Sequence, residues 1–319
     1  MKIAVLDDYL GYSDRFADWG DLGGDVTVFR DPIPQRDLVA TLSPFDVLCV
    51  MRERTPMPAD LINALPNLRL IVTTGMRNLS IDMDAAKQRG ITVCGTASRA
   101  AATAQLAMTL ILVASRNLVG NLNSMARGGW QAPAGRDLDG LTLGLIGLGR
   151  LGADVAALAR PFGVKMVAWS QNLTDARCAE VGVSRADSLG ALLEMADVAS
   201  IHLVLSERTT GLIGAAELAR MKPDAGIVNT SRGPIIDRDA LLAALRAGQI
   251  ANAAIDVFEE EPLPKDSPWR DADLIASGRL ILSPHVGYGA LATYERMYRE
   301  TAEDVRAFTE GAPLRVIGA

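Results

Sequence analysis

At 319 residues, with 49% hydrophobic and 22% charged side chains, the chain has the length of about two globular domains and none of the bias of a disordered or fibrous protein. A net charge of −6 argues against nucleic acid as a partner, because such binding needs a basic stripe. The longest apolar segment, Leu106 to Ala114, is too short to span a bilayer, and Cys49, Cys94 and Cys178 lack metal-ligand spacing, so neither a membrane nor a metal site is expected.

Met1 to Asp8 runs straight into a strand pattern with no room for a signal peptide; with three cysteines expected to stay reduced, this points to a cytoplasmic protein. Short β-rich runs follow at Ile3 to Leu6, Val26 to Phe29, Val47 to Val50, Leu70 to Thr73 and Ile91 to Cys94. Helical patterns at Gln35 to Thr41, Ala59 to Ala64 and Ile81 to Arg89 lie between them. Alternation of this kind implies a parallel sheet with helices on both faces. Ala100 to Met125 reads as one long helix ended by Gly128-Gly129. It is apolar around most of its circumference, which suggests burial between domains or subunits, an internal core helix being the alternative.

Leu143 to Ile146 then enters Gly147-x-Gly149-x-x-Gly152 and an Ala-rich helix, Ala153 to Arg160. A buried strand, a tight turn and a helix start in this order suit a pyrophosphate: the first glycine permits the turn, the second lets the backbone approach the phosphates, and the third lets helix and strand pack closely. Because the motif begins so late, something of domain size must precede it. Strand patterns continue at Lys165 to Trp169, Val198 to Leu203, Ala225 to Asn229, Ala253 to Val257 and Leu280 to Leu282, with a helix at Asp239 to Ala247 stopped by Gly248. Ala290 to Glu310 is a last helix, which would pack on the N-terminal unit if the chain ends lie close together.

Only two histidines occur, His202 and His285, which narrows the search for a base titrating near neutrality. His285, in Ser283-Pro-His-Val-Gly287, follows a strand, and loops at the carboxyl ends of strands are where open parallel sheets place ligands; the alternative is a surface histidine. Arg232, in Asn229-Thr-Ser-Arg-Gly233, also ends a strand, where a guanidinium can grip a carboxylate through two parallel hydrogen bonds or serve as an ordinary surface cation. The run Glu259-Glu-Glu-Pro262 follows a third strand, and any of its glutamates could simply face water.

Taken together, Gly-Leu-Gly-Arg-Leu-Gly, Asn-Thr-Ser-Arg-Gly-Pro-Ile-Ile-Asp, Ala-Ile-Asp-Val-Phe-Glu-Glu-Glu-Pro and Ser-Pro-His-Val-Gly resemble, in order and spacing, the D-isomer-specific 2-hydroxyacid dehydrogenases. The resemblance covers nearly the whole chain. It implies an α/β fold of two doubly wound parallel-sheet domains, a Rossmann dinucleotide-binding domain (residues 99–289) inserted into a flavodoxin-like substrate domain (residues 1–98 and 290–319). It implies an arginine, glutamate and histidine triad at Arg232, Glu261 and His285, Glu261 being the glutamate that directly precedes Pro262. An adjacent carboxylate stabilises an imidazolium, so His285 would exchange a proton with the substrate oxygen while Arg232 fixes the substrate carboxylate. Thr74, Gly147, Gly149, Arg150, Leu151, Gly152, Ser170, Thr209, Thr230, Ser231, Asp256 and Gly287 are the implied cofactor contacts. Gly75, Met76 and Arg77, in a loop similar to one whose backbone N–H groups hold the family's substrate, and Arg52 are the implied substrate contacts.

The chain departs from the family pattern in places. Ser170 stands where the ribose-binding aspartate falls and no arginine follows directly, so NAD and NADP are both open, with dual use or a modest NADP preference expected. Arg77 replaces an acidic residue often found there; it or Arg52 would suit a second anionic group on the substrate, or face solvent. Val204 replaces a common proline, His202 is given a structural or cofactor-neighbouring role, and Gln105 stands where glutamate is frequent. The resulting expectation is an NAD(P)-dependent enzyme acting on a small anionic 2-oxo or D-2-hydroxy acid, a homodimer through the long helix. A nucleotide-sensing protein like the family's corepressors is the alternative.

Overall fold

Buried runs of β-branched and leucine residues build two separate parallel sheets in this chain. The computed structural model describes residues 1–20, 22–97 and 100–318. They form two compact units, Met1–Arg99 with Ala290–Ala319, and Ala100–Gly289. The boundary read from the sequence, between Ser98 and Arg99, falls outside the described residues.

The first unit holds β1 (Lys2–Val5), β2 (Asp25–Val28), β3 (Val47–Val50), β4 (Leu70–Thr73) and β5 (Thr92–Gly95), all parallel, in the order β2-β1-β3-β4-β5. β3 and β4 are buried at every position, which is why they read as unbroken apolar runs; β2, at one edge, never is. The helix Leu291–Thr309 returns to this unit and turns Tyr294, Met297, Tyr298, Ala302 and Val305 inward at helical spacing. The hydroxyl of Tyr298 donates to Asp8 Oδ1 at 2.9 Å, tying the helix to the end of β1. The free edge of β5 is covered by the C-terminal segment, where Gly95 N donates to Arg315 O and Ile317 N to Val93 O.

The second unit holds β6 (Thr142–Ile146), β7 (Lys165–Trp169), β8 (Ser184–Arg185), β9 (Val198–Ile201), β10 (Gly226–Asn229), β11 (Asn252–Ile255) and β12 (Leu280–Leu282). All are parallel, in the order β12-β11-β10-β9-β6-β7-β8. The order reverses at β6, the strand that carries the glycine turn, and such a switch point is where open α/β sheets bind ligands.

The single helix read over Ala100 to Met125 is two: α1 (Ala100–Ser115) and α2 (Leu118–Ala126), bent by 67°. The break lies at Asn117, whose φ of 46° is left-handed, a conformation that asparagine tolerates better than most residues, and whose side chain donates to Pro133 O at 2.8 Å. α1 is a core helix: Ala104, Ala107, Met108, Ile111 and Ala114 join Leu143, Leu145, Val228 and Ala254 in one buried cluster. α2 instead leaves Leu118, Leu122 and Met125 exposed. No single helix among the described residues is long and apolar enough to cross a membrane. The three cysteines are free and buried, and burial raises each thiol's pKa, Cys94 to about 12.

Candidate functional site

The glycine turn follows from the backbone it must adopt. Gly147 has φ +106°, and a Cβ there would lie 2.7 Å from the carbonyl oxygen of His202. A Cβ on Gly152 would lie 2.1 Å from the oxygen of Gly147, so the first and third glycines are imposed by the fold. Gly149 differs, since a Cβ there would meet no atom of the described residues within 4 Å. It faces open space at the start of α3 (Arg150–Ala159), where Gly149 provides no side-chain cap and the first-turn N–H groups need acceptors. Arg150 is exposed at this end, and Leu151 packs against the core beneath α1.

Buried polar atoms around the turn tell the same story. Neither ring nitrogen of His202 nor Thr230 Oγ1 has a hydrogen-bond partner among the described residues, although a buried polar group is costly to leave unpaired. Burial lowers the His202 pKa to about 4, which keeps the ring neutral. An open second glycine, uncapped helix N–H groups and orphaned polar side chains fit a dinucleotide held across this end of the sheet.

β10, β11 and β12 are neighbours, with Asn229 opposite Ile255 and Ile255 opposite Leu282, so the loops beyond them leave the sheet side by side. The loop after β10 carries Arg232. Asn229 shapes it, Oδ1 accepting from Ser231 N at 3.0 Å and Nδ2 donating to Arg232 O at 2.9 Å, and Ser231 Oγ anchors it to Ile201 O. Gly233 lets this loop pass against the next, since a Cβ would lie 2.2 Å from the carbonyl carbon of Phe258.

The loop after β11 carries Glu261, and the loop after β12 carries His285. Glu261 Oε1 accepts from Phe258 N at 2.8 Å, and Oε2 lies 2.5 Å from His285 Nδ1. Both side chains are one quarter exposed. With Nδ1 facing Glu261, Nε2 is the ring nitrogen left for substrate. The other two glutamates of the run point elsewhere: Glu259 accepts from Trp269 Nε1 and pairs with Arg238, and Glu260 is exposed.

Asp256 does something that the sequence did not disclose. It is fully buried, Oδ1 accepting from Ser283 Oγ and Val286 N and Oδ2 from Gly287 N, so it clamps both sides of His285. Desolvation outweighs these hydrogen bonds and raises its pKa. His285 itself has φ +51°, a left-handed backbone costing roughly 1–3 kcal/mol in a non-glycine residue, which the clamp holds in place. The amide hydrogen of Gly287 is thus engaged by Asp256. The Thr209 hydroxyl is likewise engaged, donating to Val204 O and accepting from Ser206 N.

In the first unit, Thr74 Oγ1 accepts from Arg52 N at 3.0 Å and lies 3.3 Å from Met51 Sδ. Gly75 donates its N–H to Thr96 Oγ1 at 3.0 Å. Its φ of +95° explains the glycine, and the Arg52 guanidinium lies against it, 2.7 Å from where a Cβ would stand. Arg52 too has a left-handed backbone, φ +48°, and its carbonyl accepts from Asn78 Nδ2. Met76 and Arg77 are exposed beyond it, as is Gln105 on α1. No cluster of His, Cys, Asp and Glu among the described residues is arranged to hold a metal.

Comparison with known proteins places this geometry among relatives. Residues 108–287 match the family model "D-isomer specific 2-hydroxyacid dehydrogenase, NAD binding domain". The chain is 36% identical over 263 residues to a glyoxylate reductase of Korarchaeum cryptofilum, an alignment covering 80% of this chain and 77% of that protein. It is 30% identical over 318 residues to a D-3-phosphoglycerate dehydrogenase of Archaeoglobus fulgidus, covering 99% of this chain but only 58% of that longer protein. The crystal structure of a phosphoglycerate oxidoreductase from Vibrio cholerae superposes with a TM-score of 0.88 at 35% identity, covering 98% of this chain and 100% of that one.

Proposed function

Because the chain belongs to the D-isomer specific 2-hydroxyacid dehydrogenases, an enzyme family with a nicotinamide dinucleotide cofactor, we propose that it reduces a small 2-oxo acid such as glyoxylate or hydroxypyruvate, or oxidises the matching D-2-hydroxy acid. The observation that carries the reading is the 2.5 Å contact between His285 Nδ1 and Glu261 Oε2 on loops beside that of Arg232.

The bound nicotinamide supplies or accepts the hydride. His285 does the proton chemistry: with Nδ1 held by Glu261, Nε2 donates to the oxygen of a 2-oxo acid as the alcohol forms, or takes the hydroxyl proton in the reverse direction. Glu261 keeps the ring oriented. Arg232 holds the substrate carboxylate through paired N–H donors and orients the reacting carbon. Asp256 fixes the loop that carries the base. From the first unit, Met76, Arg77 and Arg52 are the proposed additional substrate donors, with Thr74 as a proposed cofactor neighbour.

We also propose a cytoplasmic homodimer. Reduced, buried thiols suit that compartment, and Leu118, Leu122 and Met125 with Trp130, 74% exposed, form the apolar surface that a second copy would cover. Mass in solution by light scattering tests the dimer.

Loss of reduced-nicotinamide absorbance across a panel of 2-oxo acids tests the activity, comparing wild type with His285→Ala. Turnover abolished while dinucleotide still binds supports the reading; dinucleotide binding without turnover of any acid would favour a nucleotide sensor instead. The relatives give that alternative no support, since each is named for an oxidoreductase reaction.

A further inference from the structure

Ser170 directly follows β7, where a dinucleotide domain selective for NAD carries a carboxylate that accepts from the ribose hydroxyls and repels a 2′-phosphate. Serine does neither. Nothing cationic follows it in Gln171-Asn-Leu-Thr174, and the charge comes instead from the next helix, α4 (Asp175–Val181).

A tight turn, with Leu173 N donating to Ser170 O at 3.1 Å, brings the chain round. Thr174 then caps α4, its Oγ1 accepting from Arg177 N at 3.2 Å, which fixes Arg177 in the first helical turn. From there its guanidinium reaches back to the glycine turn. Nε donates to Leu148 O at 3.1 Å and a terminal nitrogen to Gly149 O at 3.4 Å. Arg177 is thus held against the second glycine, the one facing open space, and is one third exposed. Its carboxylate partner, Glu180 at 2.8 Å, is 68% exposed, and a solvent-screened pair of this kind contributes little and yields easily to a stronger anion. The other nearby acid, Asp175, is paired with Arg185 at 3.0 Å. A planar guanidinium with donors to spare, oriented by two carbonyls, matches a phosphate.

We infer that the chain selects NADP(H) over NAD(H), with Arg177 recognising the ribose 2′-phosphate and Ser170 admitting it. The inference rests on the dinucleotide reading of the glycine turn and adds the identity of the nucleotide.

Calorimetric titration with NADPH, NADH, 2′,5′-ADP and 5′-ADP tests it without turnover. Wild type is expected to bind NADPH and 2′,5′-ADP roughly tenfold more tightly than their counterparts lacking the 2′-phosphate, the scale of one charge-assisted hydrogen bond. Arg177→Ala should erase that difference while changing NADH affinity less than about twofold, and Arg177→Lys should restore part of it. Ser170→Asp, which leaves the arginine contacts intact, should weaken NADPH and strengthen NADH. Equal affinities in wild type, or an Arg177→Ala loss shared equally by both dinucleotides, would overturn the inference and leave Arg177 a brace for the turn. If NADH binds and NADPH does not, the nucleotide assignment fails alone. If neither binds, the dinucleotide reading fails with it.

Discussion

His285 Nδ1 stands 2.5 Å from Glu261 Oε2 although 24 residues separate them, because β11 and β12 pair in register and deliver their loops together. The other oxygen of Glu261 is fixed by Phe258 N, so the carboxylate has one available direction. Glu261→Gln removes the charge and keeps the shape. It is expected to lower kcat by roughly 10²-fold, within the range of general acid–base catalysis, with dinucleotide affinity unchanged in a fluorescence titration. An unaltered kcat would take Glu261 out of the chemistry.

Arg232→Ala should raise KM for the 2-oxo acid and lower kcat together, because the same contact serves ground and transition states. Arg232→Lys should recover only part of each, as an ammonium cannot reproduce the paired donors. Steady-state kinetics at saturating cofactor read both; kinetics like wild type would remove Arg232 from the site.

Two glycines of the turn make a paired test. Gly152→Ala puts a methyl 2.1 Å from Gly147 O, so the variant should lose stability and dinucleotide binding at once. Gly149→Ala meets no atom of the described residues within 4 Å and should keep the wild-type melting temperature while losing dinucleotide affinity by tenfold or more, about 1.4 kcal/mol. Unimpaired binding by Gly149→Ala would mean that the phosphates do not approach there.

His202 predicts a pH dependence. Its pKa is lowered from 6.5 to about 4 by burial, so the unfolded chain takes up its proton at a higher pH than the folded one. Its contribution to stability is full above about pH 6.5 and is lost as pH falls through about 4. In melting experiments from pH 7.5 to 4.5, wild type should lose stability relative to His202→Leu as the pH drops. A constant difference between the two would refute it. Asp304, in the first unit, works in the opposite sense: burial raises its pKa to about 7, and its contribution is lost as pH rises through that value. The comparison with His202→Leu cancels it.

The sequence revealed what burial dictates. Val47–Val50 and Leu70–Thr73 were legible to the residue, because central strands of a parallel sheet leave an uninterrupted apolar signature, and Lys165–Trp169 and Leu280–Leu282 were too, the latter at the edge of its sheet. The helix break was not, since Arg116-Asn117 reads as one polar step on a continuing helix, and the left-handed turn is sustained by a contact with Pro133 that lies 16 residues on. The pairing of Glu261 with His285 was legible only through family resemblance, as spacing alone left three glutamates equivalent. Asp256 gripping the histidine loop, Thr96 taking the Gly75 amide and Arg177 reaching the glycine turn were hidden, because each depends on how a folded loop curls rather than on residue type.

The first sheet needs Tyr298 and its neighbours on the helix Leu291–Thr309, yet residues 100–289 lie between that helix and the strands it covers. During synthesis at about 5–20 residues per second, the five strands of the first sheet wait roughly 10–40 s for that helix while the contiguous second unit emerges. Nascent chains therefore carry one face of the first sheet uncovered until the helix Leu291–Thr309 has been made.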